Sequence, residues 1–234
     1  MKNLLDKILK GYVVLEITES PINEKIEVRE DILGRRTLVA GGLAQSGKEV
    51  KRIWQKAIKQ VQTINLPRGK AGNKVQRCLI LGLGAGTVAK LISRRFPDAK
   101  ITGIEIDPEI IKLGKKYFGL DSIKNLEIKI GDAISVVSNG TMKQCNNYDL
   151  ILVDLYLGDE YPPKAEDQSF FKSIKCQLSK DGLIVVNRLY YHMSDKQQTD
   201  EFGKKLKGIF NRIEEAEISW NKFFFCFDST WGVE

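Results

Sequence analysis

Three glycines at alternate positions end an apolar run near the middle of the chain. The segment reads CLILGLGAGTVAKLI over residues 78–92, and Gly82, Gly84 and Gly86 lie between a strand-like and a helix-like pattern. Glycine adopts backbone torsions that other residues avoid, and it lets a ligand touch the main chain. The first turn of the following helix would offer free N–H groups and a partial positive charge. The segment therefore predicts a ligand-binding loop at the end of a strand.

The spacing of these glycines excludes two common phosphate-binding loops. The dinucleotide fingerprint G-x-G-x-x-G needs a third glycine where the sequence has Thr87. No G-x-x-x-x-G-K-[ST] motif occurs, so a P-loop is also excluded.

Two carboxylates follow the next two strand-like runs. Glu105 ends the run ITGIE, and Asp132 follows LEIKI in the triplet GDA. In a parallel sheet the carboxyl ends of the strands share one edge. There, Glu105 could accept hydrogen bonds from both ribose hydroxyls, and Asp132 could accept one from the adenine amine. Asp132 could also cap the following helix, and the two roles can coexist. The glycine loop and these carboxylates predict an adenosine site, which we extend to the adjacent Ile106 and Ala133.

The elements that must position these residues alternate in type from residue 75 onward. Strand-like runs lie at 78–82, 101–105, 126–130, 148–154 and 183–187, and helix-like segments lie at 87–96, 108–117, 132–138, 168–178 and 195–210. Apolar strands between amphipathic helices indicate a mostly parallel sheet that is covered on both faces. The runs at 213–219 and 223–227 predict an antiparallel C-terminal hairpin. The expected fold class is therefore α/β and Rossmann-like.

The N-terminal part has a different pattern of predicted secondary structure. Residues 12–46 read as short strands separated by turns, after a possible helical face over residues 3–10. Residues 49–62 form an amphipathic helix pattern. We expect a small N-terminal β-strand region over residues 1–47 and a catalytic domain over residues 48–234.

Composition excludes several classes of protein. The chain has 234 residues, of which 42% are hydrophobic and 29% are charged, so it can bury a sizeable core. No apolar run approaches the roughly 20 residues of a membrane span, and no secretory leader is apparent. The sequence has one histidine, His192, and four cysteines without a C-x-x-C pair. We expect a cytoplasmic protein that has no contact with membranes and no metal site.

The positive charge of the chain is concentrated in one segment. The net charge is +7, and residues 48–77 hold nine basic residues and one acidic residue. Such a segment permits an RNA-binding or RNA-modifying protein. A solvated helix face is the stronger interpretation, because no RNA-binding module accompanies the charge.

These residues resemble a known family. LILGLGAGTVAKLI, ITGIEID, IKIGDA and YDLILVD occur in the order seen in class I S-adenosylmethionine-dependent methyltransferases. The upstream segment TLVAGGLAQSGKEVKRIWQKAI makes the chain similar to the spermidine synthase-like branch of that superfamily. The resemblance spans most of residues 12–190. It implies S-adenosylmethionine or its decarboxylated form as cofactor, and a homodimer.

The resemblance also implies roles for particular residues. Gln45 would reach the methionine end of the cofactor, and Ala85 occupies the loop position that contacts the cofactor amine. Trp54 and Gln55 would lie near the acceptor pocket. We predict Asp154, at the end of the fourth strand, as the catalytic residue and as a cofactor contact. It would orient an amine or accept its proton. The aromatic residues of the following loops, Tyr156 and Tyr190 among them, could contact the acceptor.

Departures from the family pattern favour methyl transfer. Aminopropyltransferases carry G-G-G-D-G in the first loop, where this chain has Ala85 in place of the aspartate. They carry D-S-S-D-P after the fourth strand, where Asp154 matches the first aspartate and Leu157 replaces the second. Asp159 and Glu160 could substitute from a shifted loop. Trp54 replaces a tyrosine and has no hydroxyl. We therefore expect a methyltransferase acting on a small molecule or an amine, with polyamine aminopropyl transfer as the alternative.

Overall fold

A computed structural model of the chain describes residues 9–63, 75–138, 148–158 and 160–227. The chain contains two sheets. The possible helix over residues 3–10 falls almost entirely outside the described residues, and so does Asp159.

The N-terminal sheet has four antiparallel strands in chain order. They are β1 (Tyr12–Ser20), β2 (Glu24–Asp31), β3 (Arg36–Ala40) and β4 (Leu43–Gly47). The sequence predicts the first three as strands. The fourth, which carries Gln45, pairs with β3 through the turn at Gly41 and Gly42. Both of these glycines have a positive φ, which is why the chain can reverse so tightly there.

The second sheet has seven strands in the order β10-β11-β9-β8-β5-β6-β7. Its strands are β5 (Arg77–Leu81), β6 (Lys100–Glu105), β7 (Leu126–Ile130), β8 (Tyr148–Val153), β9 (Leu178–Leu189), β10 (Arg212–Ile218) and β11 (Asn221–Phe227). Strands β5 to β9 are parallel, and β11 and β10 add to β9 as an antiparallel hairpin. The expected mostly parallel sheet with an antiparallel C-terminal hairpin is confirmed.

Helices cover both faces of this sheet. They are α1 (Lys48–Thr63), α2 (Thr87–Arg95), α3 (Pro108–Phe118), α4 (Ala133–Ser138), α5 (Gln168–Gln177) and α6 (Met193–Lys207). One hydrophobic cluster joins α1 and α2 to the sheet, and a second joins α5 and α6 to the other face. The predicted helices are present, with ends that differ by up to three residues. Strand β9 is longer than the predicted 183–187 because its first residue also pairs with β8.

The N-terminal sheet is anchored to the large sheet at the start of α3. Pro108 takes the first helical position of α3, and Asp107 caps this helix by accepting from the Glu109 N–H at 2.9 Å. Its other oxygen accepts from the Asn23 amide at 2.7 Å and from the Ser20 hydroxyl. Ile26 and Leu38 of the N-terminal sheet also share a buried cluster with α3. The domain boundary at residues 47 and 48 stays a prediction.

No helix within the described ranges is both long and apolar enough to span a membrane.

Candidate functional site

A cavity of about 420 Å³ opens at the carboxyl ends of the central parallel strands. This is the edge where open α/β sheets bind ligands, beside the strand at which the order of the sheet reverses. The lining includes eight predicted cofactor residues, namely Gln45, Gly82, Gly84, Glu105, Ile106, Asp132, Ala133 and Asp154. These eight residues come from five separate segments of the sequence and meet around one space of nucleoside size.

Glu105 lies at the end of β6 and holds the glycine loop in place. One carboxylate oxygen accepts from the Gly84 N–H at 2.7 Å, and the other accepts from the Asp107 N–H at 3.1 Å. The residue is only 7% exposed, and burial raises the pKa of its carboxyl group. The backbone N–H donors act in the opposite direction and favour the ionised form. Since a carboxylate has about four acceptor sites, acceptor capacity remains for a ligand.

Asp132 performs the capping role that its position allows. Its carboxylate accepts from the Ile134 N–H at 3.0 Å and from the Ser135 hydroxyl at 2.6 Å. It thereby fixes the first turn of α4 and still lines the cavity. As with Glu105, acceptor capacity remains on its oxygens.

The glycine loop makes room for protein neighbours as well as for a ligand. A Cβ atom on Gly82 would lie 2.1 Å from the Asp154 carbonyl oxygen, and one on Gly86 would lie 2.3 Å from the Leu120 side chain. A Cβ on Gly84 would lie 3.1 Å from both the Gln45 carbonyl and the Ser46 hydroxyl, a tight contact but not an overlap. Glycine is therefore needed here partly to bring β4 and the end of β8 against the loop.

Two predicted cofactor residues of this loop do not line the cavity. Ala85 is buried in the cluster shared with the N-terminal sheet, and its N–H donates to the Ser46 hydroxyl at 2.9 Å. Gly86 is the N-cap residue of α2 and faces Leu120. The apolar side chain at position 85 thus serves packing, where an aspartate would bring a charge into the same cluster.

We expect Gly82→Ala to lower the free energy of unfolding by at least about 2 kcal/mol. The alanine would be strained at the observed φ of 88° and would press on the Asp154 carbonyl. Gly131→Ala is the matched control, because its Cβ would meet only Val136, at an ordinary 3.5 Å. Urea denaturation measures the midpoint and the free energy of unfolding of both variants. Equal midpoints for the two would contradict the packing role of Gly82.

A second cavity, of about 480 Å³, adjoins the first. Three residues line both of them, namely Gln45, Asp154 and Tyr156. Trp54 lines only the second, which we call the acceptor cavity. The Gln45 amide donates to the Gly158 carbonyl at 3.0 Å and so connects β4 to the loop after β8. Asp154 therefore stands on the wall between two adjoining spaces.

The Asp154 carboxylate is held by two N–H donors. The indole Nε1 of Trp54 donates to Oδ2 at 2.9 Å, and the Asn187 amide donates to Oδ1 at 2.8 Å. The Asn221 amide in turn donates to the Asn187 carbonyl at 2.9 Å, which fixes the orientation of that amide. Burial raises the pKa of Asp154, and the hydrogen bonds from Asn187 and Trp54 partly offset this. The arrangement suits a carboxylate that exchanges a proton with a bound group.

The acceptor cavity combines further carboxylates with aromatic rings. Glu49 at the start of α1 and Asp195 at the start of α6 both line it. Tyr191 and Trp220 also line it, with their ring centroids 4.8 Å apart. Carboxylates and aromatic faces are the groups that attract a cation.

Two residues predicted near the acceptor lie elsewhere. Gln55 is exposed on α1. The Tyr190 hydroxyl donates to Asp200 at 3.3 Å, while its neighbour Tyr191 lines the acceptor cavity instead. Among the described residues, Gln55 and Tyr190 line neither the nucleoside-sized cavity nor the acceptor cavity. Glu160 bridges to Leu157 and also lies outside both linings.

Several residues of the two cavities have no place in the sequence prediction. Asn187 on β9 and Asn221 on β11 are buried polar residues. Glu49 and Asp195 lie near the starts of α1 and α6. A polar residue at the end of the apolar run LIVVN is a signal that points to Asn187, because Asp154 ends a similar run. No comparable signal marks Glu49 or Asp195, since acidic residues are common near helix starts.

Comparisons with known proteins agree with this architecture. A protein-family model described as spermine/spermidine synthase domain matches residues 54–217. A polyamine aminopropyltransferase of Vibrio vulnificus is 31% identical over 126 residues, which cover 52% of this chain and 42% of that protein. A human eEF1A lysine and N-terminal methyltransferase is 28% identical over 160 residues, which cover 63% of this chain and 22% of that protein. The matched part is less than half the length of either relative.

Solved structures share the fold over most of the chain. Spermidine synthase from Thermotoga maritima superposes with a TM-score of 0.72 at 16% identity, covering 92% of this chain and 73% of that one. Human methyltransferase-like protein 13, crystallised with SAH, gives a TM-score of 0.63 at 22% identity, covering 77% and 83% respectively. These likenesses confirm the Rossmann-like α/β architecture. The family model matches well over half of the length of this chain. The chain therefore belongs to the spermine/spermidine synthase domain family.

Proposed function

We propose that this chain is a transferase that uses S-adenosylmethionine and methylates an amine held in the acceptor cavity. One observation carries the proposal. A nucleoside-sized cavity and an acidic, aromatic cavity share the wall formed by Gln45, Asp154 and Tyr156. A group bound in one cavity would meet an acceptor bound in the other at Asp154. Relatives named as methyltransferases and as aminopropyltransferases support the same general chemistry.

The residues of the first cavity fit the cofactor. Glu105 has free acceptor sites for the ribose, Asp132 has them for the adenine amine, and Ile106 and Ile134 supply apolar walls. Gln45 lines the cavity with an amide group that suits the amino-acid end. When bound, S-adenosylmethionine supplies a carbon that its sulfonium has already activated. The chain then has to position the nucleophile and remove its proton.

Asp154 would perform this positioning. With Trp54 and Asn187 fixed on one side of its carboxylate, the remaining acceptor sites can take an N–H of the acceptor. An ammonium acceptor would lose a proton to this carboxylate before attack, because the protonated nitrogen has no lone pair. Glu49 and Asp195 would attract the cation into the cavity.

Aminopropyl transfer remains the second candidate because of these same carboxylates. The sequence lacks the second aspartate that aminopropyltransferases use, and Leu157 stands in its place. Glu49 and Asp195 reach the acceptor cavity from other elements and could bind the second charge of a diamine. Methyl transfer stays the first candidate because Ala85 stands where aminopropyltransferases have an aspartate. Trp54, beside Asp154, likewise lacks the hydroxyl of the tyrosine that it replaces.

Calorimetry separates the two candidates. S-adenosylmethionine and its decarboxylated form are titrated separately into the protein, and turnover is then measured with diamines and with lysine-containing peptides. Tighter binding of S-adenosylmethionine and methylated products support the proposal. A strong preference for the decarboxylated form, with aminopropylated product, would replace it with the second candidate.

The hydrogen bond from Asn187 predicts a shift in the pH dependence of turnover. This donor stabilises the ionised form of Asp154 and lowers its pKa, so Asn187→Leu should raise that pKa. Because the carboxylate is the active form, the acidic limb of the kcat profile should move to higher pH. Rates measured across the acidic and neutral range give the midpoint of this limb. An unchanged midpoint would contradict the claim that the Asn187 hydrogen bond lowers the pKa of Asp154.

The homodimer and the cytoplasmic location stay predictions. Exposed apolar side chains on β1, namely Val14, Leu15 and Ile17, offer a surface for self-association. Analytical ultracentrifugation determines the oligomeric state.

A further inference from the structure

A third cavity, of about 290 Å³, lies where the N-terminal sheet meets α1 and α2. Six basic residues line it, namely Arg35, Arg36, Lys48, Lys51, Lys90 and Arg94. Its lining, drawn from the described residues, contains no acidic residue. We call this space the basic cavity. Thr87 lies on its wall and also on the wall of the nucleoside-sized cavity, so the two are neighbours.

Part of this positive charge has no counter-charge nearby. Arg35 pairs with Asp31 at 2.6 Å, and Arg36 pairs with Glu30 at 3.2 Å. Lys48, Lys51 and Arg94 are exposed and form no ion pair with any carboxylate that the structure describes. Bringing like charges together is unfavourable, and a bound anion would offset that cost.

The charge extends beyond the basic cavity along α1. Arg52, Lys56 and Lys59 are exposed on the same helix as Lys48 and Lys51. At 1.5 Å per residue, the distance along the helix from Lys48 to Lys59 is about 16 Å. That length exceeds a single phosphate group and suits a chain of phosphates.

We propose that the basic cavity and the exposed face of α1 bind the phosphate backbone of a nucleic acid. From the sequence alone, the basic segment is better explained as a solvated helix face. The structure adds four cations from outside α1, contributed by the N-terminal sheet and by α2, which converge on one concave space. Cations from three separate elements around a groove are a typical footprint of backbone binding.

The composition of the lining favours a nucleic acid over a lipid surface. Proteins that lie on membranes combine cations with apolar side chains that enter the bilayer. The large apolar residues of this lining, Leu91 and Phe118, are only partly exposed. The basic cavity shares no lining residue with the acceptor cavity and does not include Asp154. Nucleic-acid binding can therefore be tested independently of the proposed transferase activity.

Fluorescence anisotropy tests the inference with a labelled single-stranded RNA of mixed sequence and a DNA of equal length. Four or so phosphate contacts should make the affinity fall roughly a hundredfold between about 50 and about 300 mM KCl. The double variant Lys51→Glu/Arg94→Glu should weaken binding at low salt at least about tenfold and flatten this salt dependence. An RNA-to-DNA difference would show contacts to the sugar, and equal binding would show contacts to phosphate alone; both outcomes support the site.

A matched variant controls for net charge. Lys172→Glu/Lys204→Glu makes the same change in charge on α5 and α6, which cover the opposite face of the sheet. It should weaken binding much less than the first pair, and thermal melting shows whether either variant is misfolded. Equal loss in both variants, or no binding at low salt, would overturn the proposal. Binding to anionic phosphatidylserine vesicles in place of RNA would overturn it as well.

Discussion

Replacing Asp154 with asparagine should lower turnover by roughly two to four orders of magnitude, while S-adenosylhomocysteine still binds. The asparagine keeps the size of the side chain but cannot take a proton from an amine. Trp54 and Asn187 each direct an N–H at this carboxylate, so one of them would face the new amide N–H₂ and lose its acceptor. Turnover assays with the acceptor found in the panel, together with calorimetry, measure the two effects separately.

Asp167→Asn is the matched control for this experiment. It makes the same chemical change at an exposed residue that caps α5 without a side-chain hydrogen bond. Its turnover should equal that of the unmodified protein. If Asp154→Asn retained turnover within tenfold of the control, a proton-accepting role for Asp154 would be wrong.

Replacing Glu105 with alanine should weaken binding of S-adenosylhomocysteine by at least about a hundredfold, because hydrogen bonds to a charged group contribute roughly 1.5–3 kcal/mol each. The variant loses the acceptor proposed for the ribose. It also leaves the N–H groups of Gly84 and Asp107 without their partner, so the glycine loop is no longer held. Glu105→Gln retains a carbonyl acceptor and should show a smaller loss of affinity.

Calorimetry with S-adenosylhomocysteine measures both Glu105 variants. Glu127→Ala is the control, because it removes an exposed carboxylate from the neighbouring strand β7. Its affinity should be unchanged. Equal affinity of Glu105→Ala and this control would exclude Glu105 from the nucleoside site.

The sequence predicts the central strands and the first cavity because both depend on short-range patterns. Apolar runs that end in Gly82, Glu105 or Asp154 identify strands and place their last residues at one edge of the sheet. The cap at Asp107 is equally local, since it depends only on the next two residues. These features can be predicted without knowing which distant segments of the chain are in contact.

The acceptor cavity depends on contacts between distant segments, which the sequence pattern does not contain. Asn187 and Asn221 meet because β11 pairs with β9 in one particular register. Tyr190 and Tyr191 follow the end of β9, where strand alternation no longer determines which side chain faces the cavity. The second role of the glycines, packing on Asp154 and Leu120, likewise appears only when the loop is folded.

A crystal structure with S-adenosylhomocysteine tests the central claim most directly. The account predicts the nucleoside in the cavity of about 420 Å³, with ribose hydroxyls within about 3.2 Å of the Glu105 carboxylate and the sulfur directed toward Asp154. A nucleoside bound elsewhere, or a ribose that makes no contact with Glu105, would contradict it.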